Sequence, residues 1–157
     1  MLRASFKPGG LVLNGVLFDR ATPPAGYEAV LGTPSRVVDA GRRPAPPGHR
    51  NNQVHLYDEL GLYLLEHHAT GDVRGVEFAL TRGGCSFEPN RAFSGHLTVD
   101  GVPIHGGAHR SELPLTGARM VFVRYLDSWS WEAEALYAGL RLDSAQRLVS
   151  ATYCFRA

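Results

Sequence analysis

The chain carries almost no surplus of either charge. Its 157 residues hold 16 basic against 15 acidic side chains, a formal net charge of +1. A nucleic-acid-binding face needs a clustered basic excess, and this balance argues against one. Cysteine is scarce as well. Cys85 and Cys154 are the only two, both in strand-like surroundings, and reduced, partly buried thiols are expected, since nothing requires a disulfide. No run reaches the ~18 apolar residues of a membrane span. The start, MLRASFKPGGLVLNGVLF, places Lys7, Pro8, Gly9 and Gly10 where a signal peptide needs an unbroken apolar core. A cytoplasmic protein is the expectation, with no membrane and no nucleic acid among its partners.

Recognisable catalytic motifs are missing too. There is no Gly-x-Ser-x-Gly elbow, no phosphate loop and no Gly-x-Gly-x-x-Gly fingerprint. Glu66-His67-His68 holds metal-ligand chemistry, but consecutive side chains on a strand point to opposite faces, and no other spaced ligand accompanies them. Gly106-Gly107 between His105 and His109 argues for a turn rather than a shared helical face. Gly83-Gly84-Cys85 has no neighbour that would depress the thiol pKa. No catalytic residue, metal or cofactor is expected, and Asp58-Glu59 reads as a pair of solvated turn acids.

What is present is a globular composition, 44% hydrophobic and 20% charged, in a chain long enough to bury roughly 70% of its unfolded surface as one domain, 1–157. Eighteen glycines and ten prolines cut it into short pieces, and no helical stripe lasts long. LVLNGVLFD reads as strand and tight turn at Asn14-Gly15. Thr22 as N-cap, Pro23 at the first helical position and Gly32 at the end predict one short helix, Pro23 to Leu31, then a strand from Ser35 to Asp39. GRRPAPPGHRNN, 41–52, is a surface loop. A meander follows: Val54 to Tyr57, a break at Asp58-Glu59, Gly61 to Glu66, a turn at HATGD, and Val73 to Leu80.

The second half echoes the first. LTVDGVPI lines up with LVLNGVLF, and ALYAGLRLDSAQRLVSATYCF with GLYLLEHHATGDVRGVEFAL, with a strand at Arg119 to Leu126 between them. Two matches in the same order predict a duplicated unit, about 11–80 and 97–155. The expected fold is α+β: a tandem repeat of short helix plus antiparallel meander, forming one continuous sheet with a helix packed on one face.

Trp129-Ser130-Trp131, flanked by Asp127 and Glu132, sets two tryptophans at i and i+2. They are either a core pair or part of a binding surface, where tryptophan and tyrosine dominate hot spots. The partner-binding candidates are Tyr57, Asp58, Glu59 and Tyr63 from the first meander, with Trp129 and Trp131 from the second half. The rival candidates are His55, His67 or His96 acting with Asp58 in a small hydrolase or isomerase. A third alternative is a structural or assembly adaptor with a sticky edge.

The segments LNGVLF, VLGTPSRV, YDELGLYL, TGDVRGVEFAL and FSGHLTVDGVPI resemble a group of uncharacterised bacterial proteins with an NG, LGxPSR and YDxLG signature. The helix-then-meander order is more loosely similar to beta-lactamase-inhibitor-like folds and to small outer-membrane assembly lipoproteins, whose lipidation cysteine has no counterpart here. The resemblance spans roughly 11–104. Some of the group sit near toxin genes, which implies an immunity-type protein, a monomer or weak dimer, that occludes a cognate toxin. It brings no catalytic residues with it.

Overall fold

Thirteen strands and one eight-residue helix are seen in the computed structural model, which describes residues 1–19, 21–41, 43–83, 85, 87–113, 120–125, 128–132 and 137–155. For 120–125 and 128–132 the description is of backbone pairing. The first half holds β1 (Arg3–Lys7), β2 (Gly10–Leu13), β3 (Val16–Phe18), α1 (Pro24–Leu31), β4 (Arg36–Asp39), β5 (Gln53–Tyr57), β6 (Leu62–Glu66) and β7 (Val73–Ala79). The second holds β8 (His96–Val99), β9 (Val102–Ile104), a 3-10 turn (Arg110–Glu112), β10 (Met120–Tyr125), β11 (Ser128–Glu132), β12 (Ala138–Leu142) and β13 (Leu148–Cys154).

The strands form two sheets rather than the one continuous sheet expected. One has the order β3-β2-β1-β8-β9, the other β10-β11-β12-β13-β7-β6-β5-β4. The reason is β1, which sequence reading passed over. Its alternation buries Ala4 and Phe6 and leaves Arg3 and Lys7 exposed. It pairs antiparallel with β2 and parallel with β8, so it collects both hairpins into a sheet of their own. Phe6 is fully buried, with its ring 5.6 Å from Phe78 of β7 and 5.4 Å from Tyr153 of β13. The smaller sheet therefore lies over the centre of the larger one, and one apolar cluster runs through both.

The predicted tight turn forms, and so does its echo in the second half. Asn14-Gly15 and Asp100-Gly101 all have positive φ, between 48° and 87°, as a two-residue hairpin turn of the primed type demands. The meander is present too: β4 to β7 pair in sequence, and β7 then pairs with β13, joining the hairpins β6–β7 and β12–β13 by their second strands.

The helix begins one residue later than predicted. Pro23 is its N-cap and makes no side-chain cap bond, while Thr22 Oγ1 instead donates to Asp19 Oδ1 at 3.4 Å. Gly32 ends it at φ 77°, its N–H donating to the Glu28 carbonyl at 2.8 Å. The helix is anchored by Tyr27, fully buried and stacked on Phe18 at 4.2 Å. In the second half its place in the order is taken by the 3-10 turn, which His109 caps in a reciprocal pair with Glu112. Of the expected strand from Arg119 to Leu126, β10 is described; its two end residues, Pro114 and Asp127 lie outside the described residues.

Candidate functional site

Most of the charged chemistry gathers around the β5–β6 hairpin. At one end, the turn Tyr57 to Gly61, Asp58 is 5% exposed. Arg36 meets its carboxylate with two bonds, Nε to Oδ2 at 3.0 Å and Nη2 to Oδ1 at 3.1 Å. The Asn90 N–H also donates to Oδ1 at 3.1 Å, and the Asp58 N–H donates to Ser35 Oγ at 3.0 Å. Arg36 further donates to the Glu88 carbonyl at 2.9 Å, and the Arg91 N–H to the Asp58 carbonyl at 3.1 Å. Hydrogen bonding from Arg36 holds the Asp58 carboxyl below the usual range against the opposing effect of burial. The Pro-Ser-Arg and Tyr-Asp segments of the sequence are thus two halves of one clamp that pins the loop 88–91 to the sheet.

At the other end, Glu66 is also buried. Arg50 Nη2 donates to its Oε1 at 2.8 Å, and His55 Nε2 lies 2.7 Å from Oε2. Arg50 Nε donates to the His68 carbonyl at 3.1 Å. Asn52 Oδ1 accepts the His68 N–H at 2.9 Å and meets His68 Nδ1 at 2.8 Å. Because that amide oxygen is an acceptor, the ring contact requires Nδ1 to be the donor. This end opens into a cleft of about 390 Å³ lined by Ala40, Gly41, Ala45, Pro46, His49, Arg50, Asn51, Asn52 and His68.

A third carboxylate, Glu77 in β7, lies buried on the opposite face of the sheet from Phe78. Its Oε2 accepts the Tyr63 hydroxyl, and Arg141 Nη1 lies 3.9 Å from its Oε1. Burial first, and the Glu77 charge second, push both the Tyr63 hydroxyl and the Cys85 thiol well above their ordinary values. Burial and the neighbouring carboxylate thus disfavour a thiolate at Cys85. Neither Cys85 nor Cys154 is in a disulfide.

The predicted partner-binding residues separate. Tyr57 and Tyr63 are 3% and 6% exposed and pack in the core, and Asp58 is consumed by the clamp. These three side chains are therefore placed in the scaffold rather than on an open surface. Burial pushes the Tyr57 hydroxyl up to about 12. Glu59 alone among the four is exposed, paired with Arg91 at 3.0 Å. Trp129 lies opposite Leu142 and Trp131 opposite Leu140 in the β11–β12 register; their side chains lie outside the described residues.

The rival dyad is rearranged as well. His55 pairs with Glu66, not Asp58, and His96 sits in the other sheet. His67 and His68 follow the end of β6, so strand alternation does not separate them, and their rings lie 4.6 Å apart. Among the described residues no group of three metal-ligating side chains converges, and no helix is long and apolar enough to cross a membrane. Sequence reading missed Arg36, Arg50 and the structural use of Glu66 and Glu77. The available signal was a carboxylate inside an otherwise apolar strand, LYLLE and GVEFAL, which demands a buried partner.

Among the described residues these features define a two-sheet β protein with one short helix, in which arginines hold the buried carboxylates Asp58 and Glu66 at the two ends of a hairpin. The chain belongs to the family described as a domain of unknown function (DUF7738), whose model matches residues 4–113. That span takes in the smaller sheet except Arg3 and all of the β4–β7 meander, including the clamp and the cleft. No curated protein and no solved structure matches the chain.

Proposed function

We propose that the protein is a non-enzymatic binding module of the immunity type, cytoplasmic, which neutralises a cognate bacterial toxin by covering it. One observation carries the reading. At both ends of the β5–β6 hairpin the carboxylate is the buried member of an ion pair and the arginine is the exposed one: side-chain exposures are 8% for Asp58 against 45% for Arg36, and 11% for Glu66 against 54% for Arg50. A catalytic carboxylate must reach a substrate proton. These two instead hold the scaffold and fix guanidinium groups at the surface, where arginine is favoured as an interface anchor. A complex of this kind buries about 800 Å² on each partner. Glu59, Trp129 and Trp131 remain candidate anchors beside those arginines.

Co-expression with the product of the adjacent gene tests this. Rescue of growth and a copurifying complex are expected, with an association rate that falls as salt rises. If no neighbour is toxic and none binds, the reading is wrong.

A second reading, a small hydrolase or isomerase, has the 2.7 Å His55–Glu66 contact in its favour. Neither residue lines the cleft, so a substrate would first have to displace Arg50. Turnover abolished by His55→Ala in a protein that still melts normally would establish it.

We also propose that units 11–80 and 97–155 are a duplication. Each runs hairpin, helical turn and four-stranded meander, and the meanders meet at β7 and β13. Replacing residues 97–104 by the sequence of 11–18 should preserve a cooperative melt; loss of folding counts against equivalence of the hairpins.

A further inference from the structure

We propose that the outer edge of β4, together with the cleft that continues it, is a docking strip for an extended acidic segment of a partner protein. The inference rests on the reading of the chain as a binding module and names the chemistry of what it binds.

β4 is the last strand of the larger sheet. The Ala40 N–H donates to the Asn52 carbonyl at 2.9 Å, in register with Val38 opposite Val54 and Arg36 opposite Leu56. On an antiparallel ladder residues alternate, so Arg36 and Val38 turn their main chain to β5, while Val37 and Asp39 turn theirs outward. An outward row of N–H and C=O groups is a template for one more strand. The side chain of Val37 is 48% exposed beside it, an apolar contact for an incoming chain.

Immediately past Asp39 the strand runs into the cleft, through Ala40 and Gly41. Its polar walls are His49, Arg50, Asn51, Asn52 and His68, and among the described residues none that line it is acidic. The chain is balanced at +1, yet residues 36–50 carry four arginines against one aspartate. Asp58 and Glu66, the acids paired with Arg36 and Arg50, are the buried halves of those pairs, so an approaching segment meets these two guanidinium groups. A ligand that can both pair with a strand edge and place carboxylates against arginine and histidine is an acidic peptide in extended form. A nucleic acid would satisfy the charge but not the outward main chain.

A displayed library of short random peptides, panned against the full chain, should enrich sequences with Asp or Glu at alternating positions. Fluorescence anisotropy of one selected peptide should then show binding about tenfold weaker to Val37→Pro, the loss of roughly one main-chain hydrogen bond. The double variant Arg43→Glu, His49→Glu should lose at least as much. Neither touches the Arg36–Asp58 or Arg50–Glu66 pair, and a thermal melt checks that the fold persists; if Val37→Pro melts early, the charge variant carries the test. Enrichment of nothing, enrichment of peptides without acids, or tighter binding of a single-stranded oligonucleotide overturns the proposal. A toxic neighbour neutralised equally by wild type and both variants removes the docking strip and leaves the immunity reading standing. Acidic peptides captured where no neighbour is toxic do the reverse.

Discussion

The turn before β6 and the turn after it use the same device, a buried carboxylate under a half-exposed arginine, but only one of them is closed. Asp58 is covered by the loop 88–91, and both of its oxygens are engaged, by Arg36 and the Asn90 N–H. Glu66 is held by Arg50 and His55 beside an open cleft. A buried carboxylate under an arginine therefore makes a structural staple where the guanidinium grips both oxygens beneath a covering loop, and a presented cation where it holds one oxygen beside the cleft.

The glycines of the two turns separate them most sharply. Both have positive φ, 72° at Gly61 and 73° at Gly71. A Cβ on Gly61 would lie 2.2 Å from the Phe93 nitrogen and 2.5 Å from the Ala92 carbonyl carbon, both backbone. A Cβ on Gly71 would meet Arg50 Nη2 at 3.6 Å, an ordinary contact. Gly61→Ala should cost more than about 4 kcal/mol, or yield no folded protein, because the backbone at Ala92 and Phe93, just past the covering loop, must be displaced. Gly71→Ala should cost roughly 1–2 kcal/mol, the strain of the left-handed backbone alone. Denaturant unfolding of the two variants measures the difference; equal costs would show that the loop does not close the first turn.

Next in size is Asp58→Asn, with an expected loss of roughly 1–3 kcal/mol at neutral pH, since Arg36 and the Asn90 N–H would share a poorer acceptor. The pH dependence has a definite sign. The folded carboxyl lies below its usual value, so its contribution is present above about pH 4, the unfolded value, and is lost as pH falls through the folded value. The gap between wild type and variant should therefore close on acidification. A gap constant down to pH 2 would mean that the charge of Asp58 is not what holds the loop.

Local chemistry made the closed turns readable and long-range pairing did not. Asn14-Gly15 and Asp100-Gly101 announce their hairpins because few residues accept positive φ. The break at Asp58-Glu59 is equally local. That Asp58 is buried while its neighbour is not depends on Arg36, 22 residues earlier, and Asn90, 32 later. The split into two sheets depends on β1 pairing in parallel with β8, marked by the Thr98–Ser5 bond across 93 residues. No window of sequence contains that pairing, and β1, five residues long, offers only Ala4 and Phe6 as inward positions.

At the open end the expected change is smaller. Glu66→Gln keeps an acceptor for Arg50 and should cost about 1 kcal/mol. Its larger consequence should be on binding, because a guanidinium no longer fixed by a full charge loses its orientation at the cleft. A variant as destabilised as Asp58→Asn would make the two ends equivalent and remove the contrast.

The smallest effect belongs to Glu59, adjacent to Asp58 in the same turn. Its pair with Arg91 spans 3.0 Å, but the side chains are 65% and 70% exposed, and such pairs contribute about 0–1 kcal/mol once water and side-chain entropy are counted. Glu59→Gln should leave the unfolding midpoint unchanged within error. It also isolates the one exposed member of the original acidic set. If Glu59 meets a partner, the variant binds it more weakly at unaltered stability, an effect seen as a faster dissociation rate in a surface-binding assay. If stability falls instead, Glu59 belongs with Asp58 to the closed turn, and the boundary between scaffold and surface runs one residue further along the chain.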